Sequence, residues 1–151
     1  MIRCLVVGKK HETWVADGID RYQKRLRKPH DIEWVLLPHS AYETDRARQE
    51  ESERILLRLK DDDFVVLLDE RGKNIDSPAL SELIEAELGR SRQVVFIIGG
   101  AYGVDQQVHQ RANLVWSLSK LVFPHQLVRL ILTEQIYRAA EIADGKPYHH
   151  I

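Results

Sequence analysis

The chain alternates five short runs rich in Val, Ile and Leu with five longer segments in which apolar residues recur at helical spacing. The short runs cover Ile2 to Val7, Ile32 to Leu37, Phe64 to Leu68, Val94 to Ile98 and Leu114 to Leu118. Strands that alternate with helices typically form a mostly parallel sheet with helices on its faces. The pattern therefore predicts an α/β fold.

The intervening segments predict five helices with recognisable ends. They cover about Glu12 to Leu26, Thr44 to Leu59, Ser77 to Leu88, Asp105 to Ala112 and His125 to Ala143. Thr44, Ser77 and Asp105 are predicted N-caps, Pro78 suits the first helical position, and Gly89 is a predicted stop. The second helix is rich in charge, which we interpret as a solvated outer face; its charged residues are Arg46, Arg48, Glu50, Glu51, Glu53, Arg54 and Arg58.

Size and composition predict a single domain over residues 1–151. The 151 residues are 44% hydrophobic and 30% charged, which is typical of one globular core. No apolar run approaches the roughly 20 residues of a membrane helix, and the apolar N-terminal run indicates a strand rather than a signal peptide. The single cysteine, Cys4, cannot form an internal disulfide and favours a reducing, cytoplasmic location.

Charge does not identify a nucleic-acid partner, because 22 basic and 23 acidic residues leave a net charge of −1. A local patch is needed for such a role. One candidate lies at the end of the first helix, where no acidic residue interrupts the stretch from Arg21 to His30; its cations are Arg21, Lys24, Arg25, Arg27 and Lys28. They either bind phosphates or are solvated and complement the helix dipole, and the sequence favours neither reading.

A glycine-rich turn follows the strand Val94 to Ile98. Gly99, Gly100 and Gly103 fall within five residues, and the missing Cβ atoms of Gly99 and Gly100 allow close approach of a ligand and positive φ, at the strand end where open α/β sheets bind ligands. Their spacing matches neither the dinucleotide nor the phosphate-loop fingerprint. Taken alone, the segment is either a ligand loop or an ordinary tight turn.

The last helix and the tail bring further polar groups into the same half of the chain. His125 and Arg129 share one face of the helix, whereas Glu134 and Arg138 form an i,i+4 pair that is either structural or functional. Apolar residues extend around more than one stripe, which favours burial on two sides, as between the sheet and a second subunit. Adjacent His149 and His150 are poorly spaced for a metal, so we expect no metal site and favour an imidazole and a phenol placed over a ligand.

Three segments resemble the RlmH family of SPOUT methyltransferases. They are IIGGAYG, SLSKLVFPHQLVRLILTEQIYRA and GKPYHH, and the likeness extends to the first strand and to LLDERGK. The resemblance implies an α/β fold with a C-terminal trefoil knot, a homodimer, and methylation of N3 of a pseudouridine in large-subunit ribosomal RNA of the assembled ribosome. The methyl donor that it implies is S-adenosylmethionine.

The resemblance also implies which residues form the site. Tyr148, His149 and Arg138 would lie near the methyl-transfer centre, with His149 a candidate for the N3 proton and the tail of one subunit completing the site of the other. The cofactor would lie against Leu68, Gly99, Leu118, Ser119, Lys120, Leu121, Val122 and Phe123.

One position departs from the family pattern. The family commonly has a basic residue after Tyr-His, whereas His150 stands here, which puts a phosphate contact of the tail in doubt. Two alternatives remain: a non-catalytic ribosome- or RNA-binding module of the same fold, and an unrelated small-ligand enzyme. Cofactor binding separates the first alternative from a methyltransferase.

Overall fold

Five strands form one parallel sheet in the computed structural model, which describes residues 1–150. They are β1 (Ile2–Val7), β2 (Ile32–Leu37), β3 (Phe64–Asn74), β4 (Val94–Ile98) and β5 (Leu114–Ser117). The strand order is β2-β1-β4-β3-β5, and every neighbouring pair is parallel. The predicted α/β class with a mostly parallel sheet is confirmed. The C-terminal knot stays a prediction.

Five helices connect the strands. They are α1 (Thr13–Gln23), α2 (Thr44–Leu56), α3 (Ser77–Gly89), α4 (Gln106–Arg111) and α5 (His125–Ala143). Side chains that alternate along the strands pack on opposite faces: Cys4 and Phe96 lie in one core cluster, and Leu5 and Ile97 in the other. The first cluster is covered by α3 and α5, with α1 packed against α5, and the second by α2 and α4. None of the described helices is long and apolar enough to cross a membrane.

Two of the three predicted N-caps are wrong. Asp105 caps α4 and accepts a hydrogen bond from Val108 N at 3.2 Å, as predicted. Asp76, not Ser77, caps α3 through Ala79 N at 2.9 Å, because its carboxylate is a stronger acceptor than the neighbouring hydroxyl. Glu43 occupies the cap position of α2, and Thr44 has a φ of +49°. Gly89 is the last residue of α3, one position before its C-cap.

Helix α5 lies between two other helices, which accounts for part of its broad apolar surface. It packs against both α1 and α3, and its Leu132 and Ile136 lie in the core cluster on the sheet. Leu132 and Ile136 are fully buried, whereas Leu127 and Ile131 remain half-exposed. Burial on two sides therefore arises within one chain, and the homodimer stays a prediction.

Candidate functional site

A cavity of about 1310 Å³ opens where β3, β4 and β5 end. It is lined by most of the residues that the sequence assigns to a cofactor site: Leu68, Gly99, Leu118, Ser119, Leu121, Val122 and Phe123. Lys120 is exposed and does not line it. Leu121 and Val122 are 70% and 77% exposed, so they border the cavity while their side chains remain largely in solvent. The carboxyl edge of a parallel sheet is where α/β proteins bind ligands.

The loop after β5 is fixed by hydrogen bonds to its own backbone. Ser117 Oγ donates to Ser119 O at 2.9 Å, and Ser119 Oγ accepts from Leu121 N at 3.0 Å. Asn74 Nδ2 donates to Ser117 O at 2.9 Å from the end of β3. Asn74 was missed by sequence reasoning, because the predicted strand stopped at Leu68. Together these bonds hold one wall of the cavity in a fixed shape.

Strand β3 continues past Leu68 through a bulge that brings Asn74 to this loop. Pairing with β5 shifts register between Leu68 and Lys73. At Gly72 a Cβ atom would lie 2.5 Å from Val115 O, so this position has no room for a side chain against the neighbouring backbone. A glycine in a polar segment directly after a strand is the signal that indicates such a bulge.

The glycine loop after β4 is a tight turn that also lines the cavity. Gly103 N donates to Gly100 O at 3.0 Å, and Gly103 has a φ of +74°. The expected positive φ at Gly99 and Gly100 is wrong. Glycine is required at these two positions for steric reasons. A Cβ at Gly99 would lie 3.0 Å from Val104 Cγ1, and one at Gly100 would lie 2.6 Å from Glu51 Oε1.

Glu51 lies beneath this loop, so the interpretation of α2 as a wholly solvated face is wrong there. Glu51 is 3% exposed, and its Oε2 accepts from Ser40 N at 2.9 Å. Its Oε1 is buried without a hydrogen-bond partner among the described residues. Arg48 of the same helix lines the cavity and donates from Nε to Tyr102 O at 2.8 Å. The loop is thus supported by two charged side chains of α2.

Arg129 lies buried at the carboxyl edge of β1. It is 1% exposed and donates from Nη1 to Lys9 O at 2.8 Å and to His11 Nδ1 at 3.2 Å. Burial, with the charge of Arg129, lowers the pKa of both His11 and His125. His125 begins α5 and lines the cavity. The shared face of His125 and Arg129 was predicted, but the burial of the arginine was not.

The tail folds back on α5 and brings the three predicted catalytic residues together around Glu134. Arg138 Nη2 and Tyr148 Oη each donate to Glu134 Oε2 at 2.8 Å. Arg138 Nη1 donates to His149 Nδ1 at 3.0 Å, and its guanidinium lies 4.7 Å from the centre of the Tyr148 ring. Burial and the hydrogen bond to Glu134 raise the pKa of Tyr148, so its phenol stays protonated. We call these four residues the tail cluster.

The tail cluster adjoins the larger cavity within one chain. His149 lines a second cavity of about 520 Å³, whose wall includes Trp116, Leu118 and Phe123. These three residues also line the larger cavity, so the two spaces share a wall. Whether a second subunit's tail completes the site stays a prediction. Among residues 1–150, no three His, Cys, Asp or Glu side chains are grouped as metal ligands would be.

The fold is that of an α/β protein with a cavity at the carboxyl edge of its parallel sheet. A family model described as predicted SPOUT methyltransferase matches residues 1–149, and the chain belongs to that family.

Relatives of this length carry a more specific name. A protein of Desulfitobacterium hafniense named ribosomal RNA large subunit methyltransferase H is 41% identical, with 98% of each chain covered. Proteins of the same name from Geotalea daltonii and Xylella fastidiosa are 38% and 39% identical, with 98% or more of each chain covered. The resemblance read from the three motifs is therefore confirmed over the full chain.

Proposed function

We propose that this protein is an S-adenosylmethionine-dependent methyltransferase of large-subunit ribosomal RNA. The finer proposal is that it methylates N3 of a pseudouridine in the assembled ribosome, as a cytoplasmic homodimer whose protomer is one domain. The observation that carries it is the shared wall between the cavity at the glycine loop and the cavity beside His149. A methyl donor and a target base need adjacent spaces of this kind.

The residues that line the larger cavity are suited to binding S-adenosylmethionine. Adenine is flat and apolar and needs backbone partners at its edge, and Leu68, Leu118 and the loop to Phe123 offer both. Gly99 lines the cavity, and a Cβ there would lie 3.0 Å from Val104 Cγ1, so a larger residue would displace the loop that forms this wall. Bound S-adenosylmethionine supplies a methyl group on a positively charged sulfur, which is a good electrophile. The tasks left to the protein are to orient the acceptor and to remove its proton.

The contact between Arg138 and His149 bears on the proton step. A guanidinium only donates, so the 3.0 Å contact makes His149 Nδ1 an acceptor and leaves the proton of a neutral ring on Nε2. In our proposal, Arg138 turns from Nδ1 toward the base as the substrate enters. His149 then takes the N3 proton at the freed Nδ1, and Arg138 faces the negative charge left on the base.

Tyr148 has a different task, because its protonated phenol is no base. We propose that its ring stacks on or borders the target nucleotide while its hydroxyl holds the tail to Glu134. His149→Ala tests the proton role in single-turnover methyl transfer measured across pH. We expect a large loss of rate and a changed pH profile; a near-normal rate at every pH contradicts the role.

The function itself is tested by tritiated methyl transfer from S-adenosylmethionine to large subunits and ribosomes. The controls are free ribosomal RNA and particles that lack pseudouridine. We expect incorporation only into the pseudouridine-containing ribosome. No incorporation with intact cofactor binding by calorimetry would place the substrate elsewhere, and no cofactor binding would favour the non-catalytic module.

A further inference from the structure

The C-terminal end of α1 carries an exposed group of cations that the site does not use. We call it the α1 basic end, and its residues are Arg21, Lys24, Arg25, Arg27 and Lys28. Across residues 1–150, none of the five is in an ion pair within 4.0 Å; Arg27 donates only to the backbone oxygens of Lys24 and Leu26. Arginines elsewhere are often paired, as Arg3 is with Glu33 and Arg54 with Glu50.

The helix dipole does not explain the whole group. The helix ends at Gln23 with Lys24 as its C-cap, so Arg27 and Lys28 lie beyond its last turn. Asp17 and Asp20 precede the group on α1, and the segment from Asp17 to Lys28 keeps three positive charges after both are subtracted from the five cations. Unpaired, solvated cations in such a run repel one another, and an anionic partner would relieve the repulsion.

The fold places this end of α1 beside the tail cluster. Helices α1 and α5 run in the same direction: Glu12 N donates to Gln126 Oε1 at their starts, and the ring of Tyr22, near the end of α1, lies 5.6 Å from that of Tyr137, further along α5. Tyr137 in turn makes an edge contact with Tyr148 at 4.9 Å. Tyr22 lies within three residues of Arg21, Lys24 and Arg25, so aromatic contacts connect these cations to the tail.

The acidic side chains of α5 at this end are already engaged. Glu134 accepts from Arg138 and Tyr148, and Glu141 and Asp144 both lie 3.9 Å from Lys146 Nζ. Two cations, Arg138 and Lys146, therefore offset two of these three carboxylates, and the five cations of the α1 basic end outnumber the one negative charge that remains. The balance of charged residues at this end is therefore positive, although the net charge of the protein is −1.

We propose that the α1 basic end binds the phosphate backbone of ribosomal RNA next to the nucleotide held at the tail cluster. This inference rests on the proposed function and adds where the substrate is held. Phosphate contacts fix register and orientation without reading sequence. They would supply the charge that His150 does not provide in the tail.

The test compares two matched double variants. Lys24→Gln with Arg25→Gln removes two exposed, unpaired cations from the α1 basic end, and Arg58→Gln with Lys60→Gln removes the same two residue types at the end of α2, on the opposite face of the sheet. Binding to large ribosomal subunits is measured by co-sedimentation between about 50 and 200 mM KCl. Calorimetry with S-adenosylmethionine checks that each variant retains its cofactor site.

For the α1 variant we expect weaker binding and a salt slope smaller by about two, one for each lost phosphate contact. The α2 variant should match the wild type, and saturating particle should restore the wild-type kcat in both. If the two variants bind with the same affinity and the same salt dependence, this inference is overturned, while the proposed methyltransferase function is unaffected. A wild type that neither binds nor methylates the particle would overturn both.

Discussion

Tyr148→Phe isolates one hydrogen bond that holds the tail in place. The change removes the 2.8 Å bond from Tyr148 Oη to Glu134 Oε2 and keeps the ring against Tyr137 and Arg138. A hydrogen bond to a charged group is worth about 1.5–3 kcal/mol, and the lower end applies here because Glu134 is 19% exposed. Losing about 1.5 kcal/mol lowers the docking equilibrium of the tail about tenfold.

The rate should follow that equilibrium closely. Ordering each residue of the tail costs about 1–2 kcal/mol, so the few contacts of Tyr148 leave little surplus of docking energy. We therefore expect single-turnover methyl transfer to fall by roughly tenfold in Tyr148→Phe. Tyr148→Ala also loses the edge contact with Tyr137 and the cation–π contact, worth together about 1–2 kcal/mol, and should lose about another tenfold.

Glu134→Gln provides the matched partner for a double-mutant cycle. Once the carboxylate is gone, Tyr148→Phe should cost less than it does in the wild type, because the same bond cannot be lost twice. Cofactor affinity by calorimetry should be unchanged in all variants. Full transfer rates in both Tyr148→Phe and Tyr148→Ala would refute the role of this contact in positioning the tail.

Three further predictions concern the larger cavity and the half-buried His11. Gly99→Val should abolish S-adenosylmethionine binding in calorimetry while circular dichroism shows the fold retained, because a side chain there crowds Val104 and displaces the loop; unchanged affinity would mean that this wall does not contact the cofactor. Asn74→Ala should weaken cofactor affinity by several-fold through loss of its bond to Ser117 O, and an unchanged dissociation constant would mean that the loop holds its shape alone. The pKa of His11 is lower in the folded protein than in the unfolded chain. Its contribution to the free energy of unfolding is therefore complete above the ordinary pKa near 6.5 and is lost as the pH falls below that value. His11→Gln should reduce this pH dependence in denaturant unfolding, and an equal slope in the variant would count against the prediction.

The sheet could be predicted because each strand is a buried run with Gly or polar residues at its ends. All five predicted strands start where the observed ones do. The extension of β3 to Asn74 could not be predicted, since polar side chains follow Leu68 and the pairing depends on the β5 backbone. The caps failed for a local reason: at Asp76 and Ser77 two adjacent acceptors compete, and their order of strength is not visible in helical periodicity.

The predicted site residues could be grouped from their motifs, but their partners depend on the tertiary structure. Glu134 and Arg138 are an i,i+4 pair in any helix, and the spacing alone leaves them a solvated ion pair. The returning tail adds Tyr148 and His149 to the same two side chains, and a surface pair becomes the centre of the tail cluster.

The same reasoning explains Glu51 and Arg129, which the sequence could not separate from solvated charges. Each lies at the carboxyl edge of the sheet, where strand ends leave backbone groups that the ladder cannot satisfy. Glu51 accepts a hydrogen bond from the backbone amide of Ser40, and Arg129 donates one to the backbone carbonyl of Lys9. A long charged side chain spans the distance from a helix to such a group, which a short polar one does not. Burial of these charges is thus a consequence of strand topology, and Glu51 also lies against Gly100 in the loop that lines the cavity at the same edge.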